Sequence, residues 1–292
     1  MLGATINEGS RPSARACFAR QPTLRHIIVA YAHRQGTIPI RLELALLPGQ
    51  ATEYAASVCI IVDVLRASSS IIAILDRGAA RVLAAQNVEA ARELHARFPD
   101  HILCGEQNGL PPEGFSCGNS PSEFSRLDFT SKSLILATSN GTRVLSAVAE
   151  SGASVLIGGT LNRTAVARAA LEVASQHALD ITIVCSAAHG GSTFVLEDAL
   201  GAAAIADAAA AADPSLQLSD AARFARDAFL QSAADVPAAI RSAYHAQELV
   251  DIGLADDVSY CSQVDESGTV PMLERGDEGL LILRPYARLP QN

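Results

Sequence analysis

Short β-branched runs alternate with alanine-rich stretches along the chain from residue 57 onward. SVCIIVDV, RVLAAQ, HILCGE, SLILATS, SVLIGGT and ITIVCSA have the length and composition of strands. Between most of them, NVEAARELHARF, GTRVLSAVAES and NRTAVARAALEVASQHAL place apolar residues three and four apart, the spacing of one helix face. Strands that are apolar on both faces and separated by helices predict a mainly parallel central sheet covered on both sides, a three-layer α/β/α fold. Residues 106–130, rich in Gly, Pro, Ser and Asn, interrupt the alternation as a long loop, and loops of that length usually carry function. After residue 196 alanine-rich helices follow, and two short strands, DDVSYC and LLILRPY, are expected to close the chain.

The polar residues that interrupt these runs fall at strand ends. Asp63, Gln86, Glu106, Asn140, Thr160 and Ser186 each lie at or just past the carboxyl end of a predicted strand, the edge at which open α/β sheets bind ligands. In IVDVLRASSSI, residues 60–70, an acid sits inside an apolar run, and a buried carboxylate needs a partner. Ser68, Ser69 and Ser70 begin the next helix, whose free amides and dipole suit an anion. Arg66 adds a planar fork for carboxylate or phosphate. TSNGT, residues 138–142, repeats the arrangement with Asn140, Gly141 and Thr142. Helix capping explains either turn alone; two of them at one edge, with an arginine, point to an oxyanion site. Asp63, Glu106 and the Glu197/Asp198 pair of VLED offer oxygen ligands for a hard cation such as Mg2+, although acids at 197 and 198 also suit the first turn of a helix. Cys185 is either a nucleophile at a strand end or a small buried hydrophobe.

Composition narrows the function classes. The net charge of -9 argues against a general nucleic-acid binder. Residues 1–46 carry six Arg against two Glu, while residues 197–278 hold 16 acids against four Arg, the signature of a solvated acidic surface. No apolar run is long enough for a membrane span. The six cysteines form no CxxC pair, which predicts a reduced cytoplasmic protein. All but one of the 22 Lys and Arg residues are arginine, the exception being Lys132, a bias without chemical content. Residues 1–36 are Arg-rich and lack an apolar period, so they are expected to be a disordered, dispensable extension to an α/β domain at 37–292.

Six segments carry a resemblance: IVDVLRASSSI, GEQNGLPPEGFSCGNSPSEF, LATSNGT, VLIGGTLNRTAVA, IVCSAAHGGSTFVLED and AQELVDIGLADDVSYC. They fall in the order seen in the 2-phosphosulfolactate phosphatase family, from about residue 40 to about residue 275, and the chain resembles a divergent member of it. The resemblance implies an α/β/α enzyme of coenzyme M biosynthesis that uses Mg2+ to release phosphate from a small sulfonated, carboxylated acid. Its implied partner is a small phosphate ester, with no nucleic acid or membrane, and a homodimer is left open. Asp63 and Arg66 become the catalytic candidates, and Ser68, Ser69, Ser70, Asn119, Asn140, Gly141 and Thr142 the substrate-binding ones. Asp63, Glu106, Glu197 and Asp198 become the metal candidates, with Asp63 either ligand or nucleophile.

Two departures bear on the substrate. Gln107 and Asn108 stand where the family typically has an arginine. CSAAHGGSTFVLED is two residues longer than the family's segment and also lacks one. Three consequences are open: His189 and Ser192 substitute, a less charged ester is preferred, or catalysis is lost and only binding of phosphate esters remains. A rival from another class is a cysteine hydrolase in which Cys185 attacks a carbonyl and Asp63 acts as base. That chemistry usually needs a lysine, and Lys132 falls at the start of a distant strand.

Overall fold

The computed structural model describes residues 39–51 and 54–287, so the extension expected at 1–36 lies outside the described residues. The strands are β1 Arg41–Ala45, β2 Ser57–Val62, β3 Arg81–Ala85, β4 Ile102–Gly105, β5 Ser133–Ala137, β6 Ser154–Gly158, β7 Asp180–Cys185, β8 Gln217–Leu218, β9 Pro271–Arg275 and β10 Leu281–Pro285. Helices follow most of them: α1 Ala67–Asp76, α2 Val88–Arg97, α3 Pro121–Phe124, α4 Gly141–Glu150, α5 Arg163–His177 and α6 Leu196–Ala212. Four more, α7 Asp220–Ser232, α8 Val236–Arg241, α9 Tyr244–Asp251 and α10 Ala255–Cys261, precede the last two strands.

All ten strands join one sheet in the order β4-β5-β3-β10-β9-β6-β2-β7-β1-β8. Two parallel blocks, β4-β5-β3 and β6-β2-β7-β1-β8, are linked by the antiparallel pair β9 and β10. The sheet is therefore mainly parallel, and the three successive antiparallel pairings make its two blocks run in opposite directions. From β5 to β2 there are five neighbour steps, and about 20–25° of twist per step turns the strand axis by roughly 100–125°. A rotation of that size would offset much of the reversal, in keeping with the strand ends of both blocks that border one cavity.

Strand alternation explains the layers. Val58, Ile60 and Val62 of β2 enter a core with α5, α6 and α7, while Cys59 and Ile61 enter a second core with α1 and α4. Val82 and Ala84 of β3 and Leu134 and Leu136 of β5 share that second core, so α1 and α4 are covered by both blocks. Leu83, Ala85, Ile135 and Ala137 face a third core with Ala91 of α2. Helix α1 is buried along Ala67–Leu75, which explains why SSSIIAIL carries no charged face. No helix among the described residues is long and apolar enough to cross a membrane.

One expected strand is a helix. DDVSYC lies in α10, where Asp257, Val258 and Cys261 are buried. Its polar-apolar alternation mimics a strand, but Val258 and Cys261 sit three apart on one helix face, and Asp256 and Asp257 favour the dipole in the first turn. The strand that pairs with β10 is PMLER, β9.

Candidate active site

A cavity of about 960 Å³ opens where the ends of β2, β4, β5 and β7 meet the start of α6 and one face of α9. Asp63, Arg66, Glu106, Asn119, Asn140, Ser186, Glu197, Asp198 and His245 all line it. A smaller cavity of about 600 Å³ adjoins it at the ends of β3, β4 and β5, and the two share Glu106, Thr138, Ser139 and Arg143.

Asp63 is the first residue after β2 and is only 6% exposed. Its Oδ1 accepts from the Ala67 amide at 3.1 Å, and its own amide donates to Ser68 Oγ at 2.9 Å. Burial pushes the Asp63 carboxyl up from its ordinary value, while the Ala67 amide and the Ser186 hydroxyl pull it down. The start of α4 approaches this carboxylate so closely that a Cβ at Gly141 would lie 2.6 Å from Asp63 Oδ2 and 2.7 Å from Ala67 Cβ. Only glycine fits there.

Asp198 and Glu197 reach the cavity from the first turn of α6. Asp198 Oδ1 accepts from the Val64 amide at 2.8 Å, and its Oδ2 accepts from the Ala187 amide at 3.1 Å and Ser186 Oγ at 3.2 Å. Asp198 thus braces the loops after β2 and β7. Glu197, 1% exposed, pairs through Oε1 with His245 Nδ1 at 2.9 Å, whereas its buried Oε2 has no partner among the described residues. Asp198 is held well above its ordinary value by burial first and then by the Asp63 and Glu197 carboxylates. Burial alone would lower His245, but the Glu197 carboxylate, with Asp63 and Glu248 behind it, raises it.

Arg66 has a role of its own. Its Nη1 donates to Asp257 Oδ2 at 2.8 Å and its Nη2 to the Gly109 carbonyl at 3.0 Å. Asp257 Oδ1 also accepts from Ser120 Oγ, the Ser122 amide and Ser122 Oγ. This buried pair ties the long 106–130 loop to α10, and the rest of the guanidinium borders the cavity. Glu106 is likewise engaged, accepting from the Ser139 amide at 2.7 Å and the Gly109 amide at 2.9 Å.

The expected residues divide clearly. Asp63, Arg66, Glu106, Asn119, Asn140, Glu197 and Asp198 converge on the cavity. Ser68, Ser69 and Ser70 are buried and do not line it: Ser68 Oγ bonds to Ile61 and Asp63, and Ser69 Oγ to the Val64 carbonyl. The start of α1 is taken up by Asp63 itself, whose side chain and carbonyl accept from Ala67 and Ser68. Thr142 is turned inward onto Thr138, and Gly141 serves by its small size. Gln86 lines the smaller cavity, while Thr160 is buried and bonds to the Cys261 carbonyl. His189 borders the main cavity, and Ser192 bonds back to the His189 carbonyl. No group of three or more His, Cys, Asp or Glu among the described residues is already arranged as a ligand cluster.

The cysteine alternative meets a direct obstacle. Cys185 ends β7, is 1% exposed and does not line the cavity. Burial and the Asp198 and Glu197 carboxylates push its thiol up, away from the thiolate a nucleophile needs. Lys132 is exposed ahead of β5 and does not border the cavity either.

Sequence reasoning missed His245, Asp257 and Arg143. Asp257 was hidden by the strand expected at DDVSYC. Arg143 follows TSNGT directly, and its position on the first turn of that helix was the available signal.

The described geometry accompanies a clear family match. Residues 45–276 match the family model described as 2-phosphosulpholactate phosphatase. Three relatives named probable 2-phosphosulfolactate phosphatase align over most of both chains. The one from Deinococcus radiodurans is 35% identical over 239 residues, 82% of this chain and 95% of its own length. The one from Pseudothermotoga lettingae is 35% identical over 232 residues, 79% and 95%. The one from Thermus thermophilus is 31% identical over 246 residues, 84% and 100%.

Proposed function

The chain belongs to the 2-phosphosulfolactate phosphatase family, a family of phosphoric monoester hydrolases, and from that premise we propose that it hydrolyses a small phosphorylated 2-hydroxy acid, 2-phosphosulfolactate or a near analogue, with Mg2+ as cofactor. One observation carries the reading: three buried carboxylates, Asp63, Glu197 and Asp198, gather at one cavity with a half-buried histidine as their near counter-charge.

The donor set suits a hard divalent cation. Mg2+ uses one or two carboxylates and keeps its other positions for water and substrate oxygens. Asp63 and Glu197 would hold it, since Glu197 Oε2 is buried without a partner among the described residues while both oxygens of Asp198 and of Glu106 are engaged by backbone amides. When bound, the cation offsets the charge of the phosphoryl oxygens and of the carboxylates around it. His245 Nδ1 fixes the orientation of Glu197 by bonding to Oε1. Asp198 fixes Asp63 indirectly by clamping Val64, one residue further on. Arg66, Asn119 and Asn140 border the same cavity and provide donors for the phosphoryl oxygens in the transition state.

A phosphate-release screen over small phosphate monoesters, with and without chelator, tests this. The expected result is release from short 2-phospho acids that chelator abolishes and Mg2+ restores. Binding of the esters by calorimetry without turnover would replace the phosphatase with a binding protein.

A further inference from the structure

We propose that Arg143 binds the sulfonate of the substrate, the anionic group on the carbon that bears neither the phosphoryl nor the carboxylate, and so sets specificity; this rests on the phosphatase reading above. Arg143 lies on the first turn of α4, two residues beyond Gly141. Two residues turn an α-helix by about 200°. With Gly141 against Asp63, Arg143 is therefore directed away from the carboxylate cluster, to the boundary where the two cavities meet.

Its guanidinium is available. Arg143 is exposed; its backbone amide donates to the Asn140 carbonyl at 3.1 Å, but its guanidinium makes no hydrogen bond or ion pair with any described residue. The carboxylate at the same boundary, Glu106, is held by the Ser139 and Gly109 amides rather than by Arg143. The other arginine at the main cavity, Arg66, is engaged by Asp257, and His245 by Glu197, while His189 also borders the cavity. The Gly190 turn closes over Arg143, since a Cβ at Gly190 would lie 3.5 Å from Arg143 Nη1, and the Gly190 amide donates to Asn140 Oδ1 at 3.3 Å. A substrate whose phosphoryl group lies near Asp63 and Asn140 can therefore extend its far end under this turn. A three-oxygen anion is matched there by a planar, five-donor fork.

The test compares the wild-type chain with Arg143→Gln and Arg143→Lys on 2-phosphosulfolactate and on 2-phospholactate, which lacks the sulfonate. It adds calorimetry with 3-sulfolactate, so that binding is read without turnover. Arg143→Gln should lower kcat/KM for the sulfonated ester by about tenfold or more, mainly through KM, and for phospholactate by at most about threefold. Sulfolactate binding should weaken in parallel, and Arg143→Lys should restore part of both. The thermal midpoint should not move, as the side chain has no partner among the described residues to lose. Equal losses on the two esters, unchanged sulfolactate affinity in Arg143→Gln, or no sulfolactate binding by the wild type would overturn the proposal. Sulfolactate binding that depends on Arg143, without phosphate release from any ester, would instead refute the phosphatase reading alone.

Discussion

Asp257→Asn isolates the energetic weight of the Arg66 pair. The side chains of Arg66 and Asp257 are 4% and 1% exposed, their N–O distance is 2.8 Å, and Asp257 holds three further donors on its other oxygen. Asparagine keeps the shape and one acceptor but removes the charge, which leaves the guanidinium buried with the Gly109 carbonyl as its remaining partner. Removing one member of a buried pair costs about 3–5 kcal/mol. For a chain of this size each kcal/mol lowers the thermal midpoint by roughly 2–4 °C. The expected fall is therefore on the order of 10 °C, with an unchanged denaturant m-value in chemical unfolding. The double variant Arg66→Met/Asp257→Asn, which leaves no uncompensated charge and keeps an acceptor for Ser120 and Ser122, should be more stable than Asp257→Asn. Hydrogen exchange across residues 106–124 should quicken in the single variant, because that loop is anchored at Ser120 and Ser122. A loss below about 1 kcal/mol, or a double variant as unstable as the sum of the singles, would refute the account of a buried coupled pair.

Asp63→Asn retains an acceptor for the Ala67 amide, so phosphate release should fall by about 100-fold or more with little change in thermal midpoint; a stability collapse would make Asp63 a structural residue. Asp63, Asp198 and His245 all bind protons more tightly folded than unfolded. Their contribution is complete below the unfolded values, about 4 for the carboxyls and 6.5 for His245, and is lost as pH rises through the raised folded ones. In chelator the thermal midpoint should thus fall as pH rises above the ordinary carboxyl value of about 4, and Mg2+ should flatten that slope; a midpoint that is flat or rising in chelator would contradict the buried cluster. Hydrogen bonding from Cys104 lowers the half-buried Cys117 thiol to about 7, so native-state alkylation of Cys117 should be half-maximal near that pH. Mass spectrometry that finds Cys59, Cys185 or Cys261 modified as readily would refute it, since burial raises all three.

The local signals in the sequence were sound wherever one element decides its own conformation. β2 through β7 follow their β-branched runs, and Asp63, Glu106 and Ser186 do sit at strand ends that converge. The serines misled because the same helix start that invites an external anion also accommodates a neighbouring acid. Asp63 takes the Ala67 amide that a ligand would have used. Arg66 was legible as a cation beside the site, but its partner lies 191 residues away on a helix read as a strand. Short-range periodicity contains nothing of such a contact. The reversal between the sheet's two blocks was equally hidden, because β9 has a proline and two charged residues in five and pairs with β6 at a single residue pair.

The place of β9 and β10 has a consequence for how the chain is made. These two strands, at residues 271–285, follow every other strand in chain order, yet they sit in the middle of the sheet, with Leu281 opposite Ala84 and Leu283 opposite Val82. During synthesis both parallel blocks must wait for them with one side of β3 and one side of β6 unpaired, two open templates for strand addition by another chain. The sheet becomes a single piece only after β9 and β10 have left the ribosome. Nascent chains stalled or cleaved near residue 270 should therefore be sticky, chaperone-dependent species, even though every residue of the carboxylate cluster has already been translated.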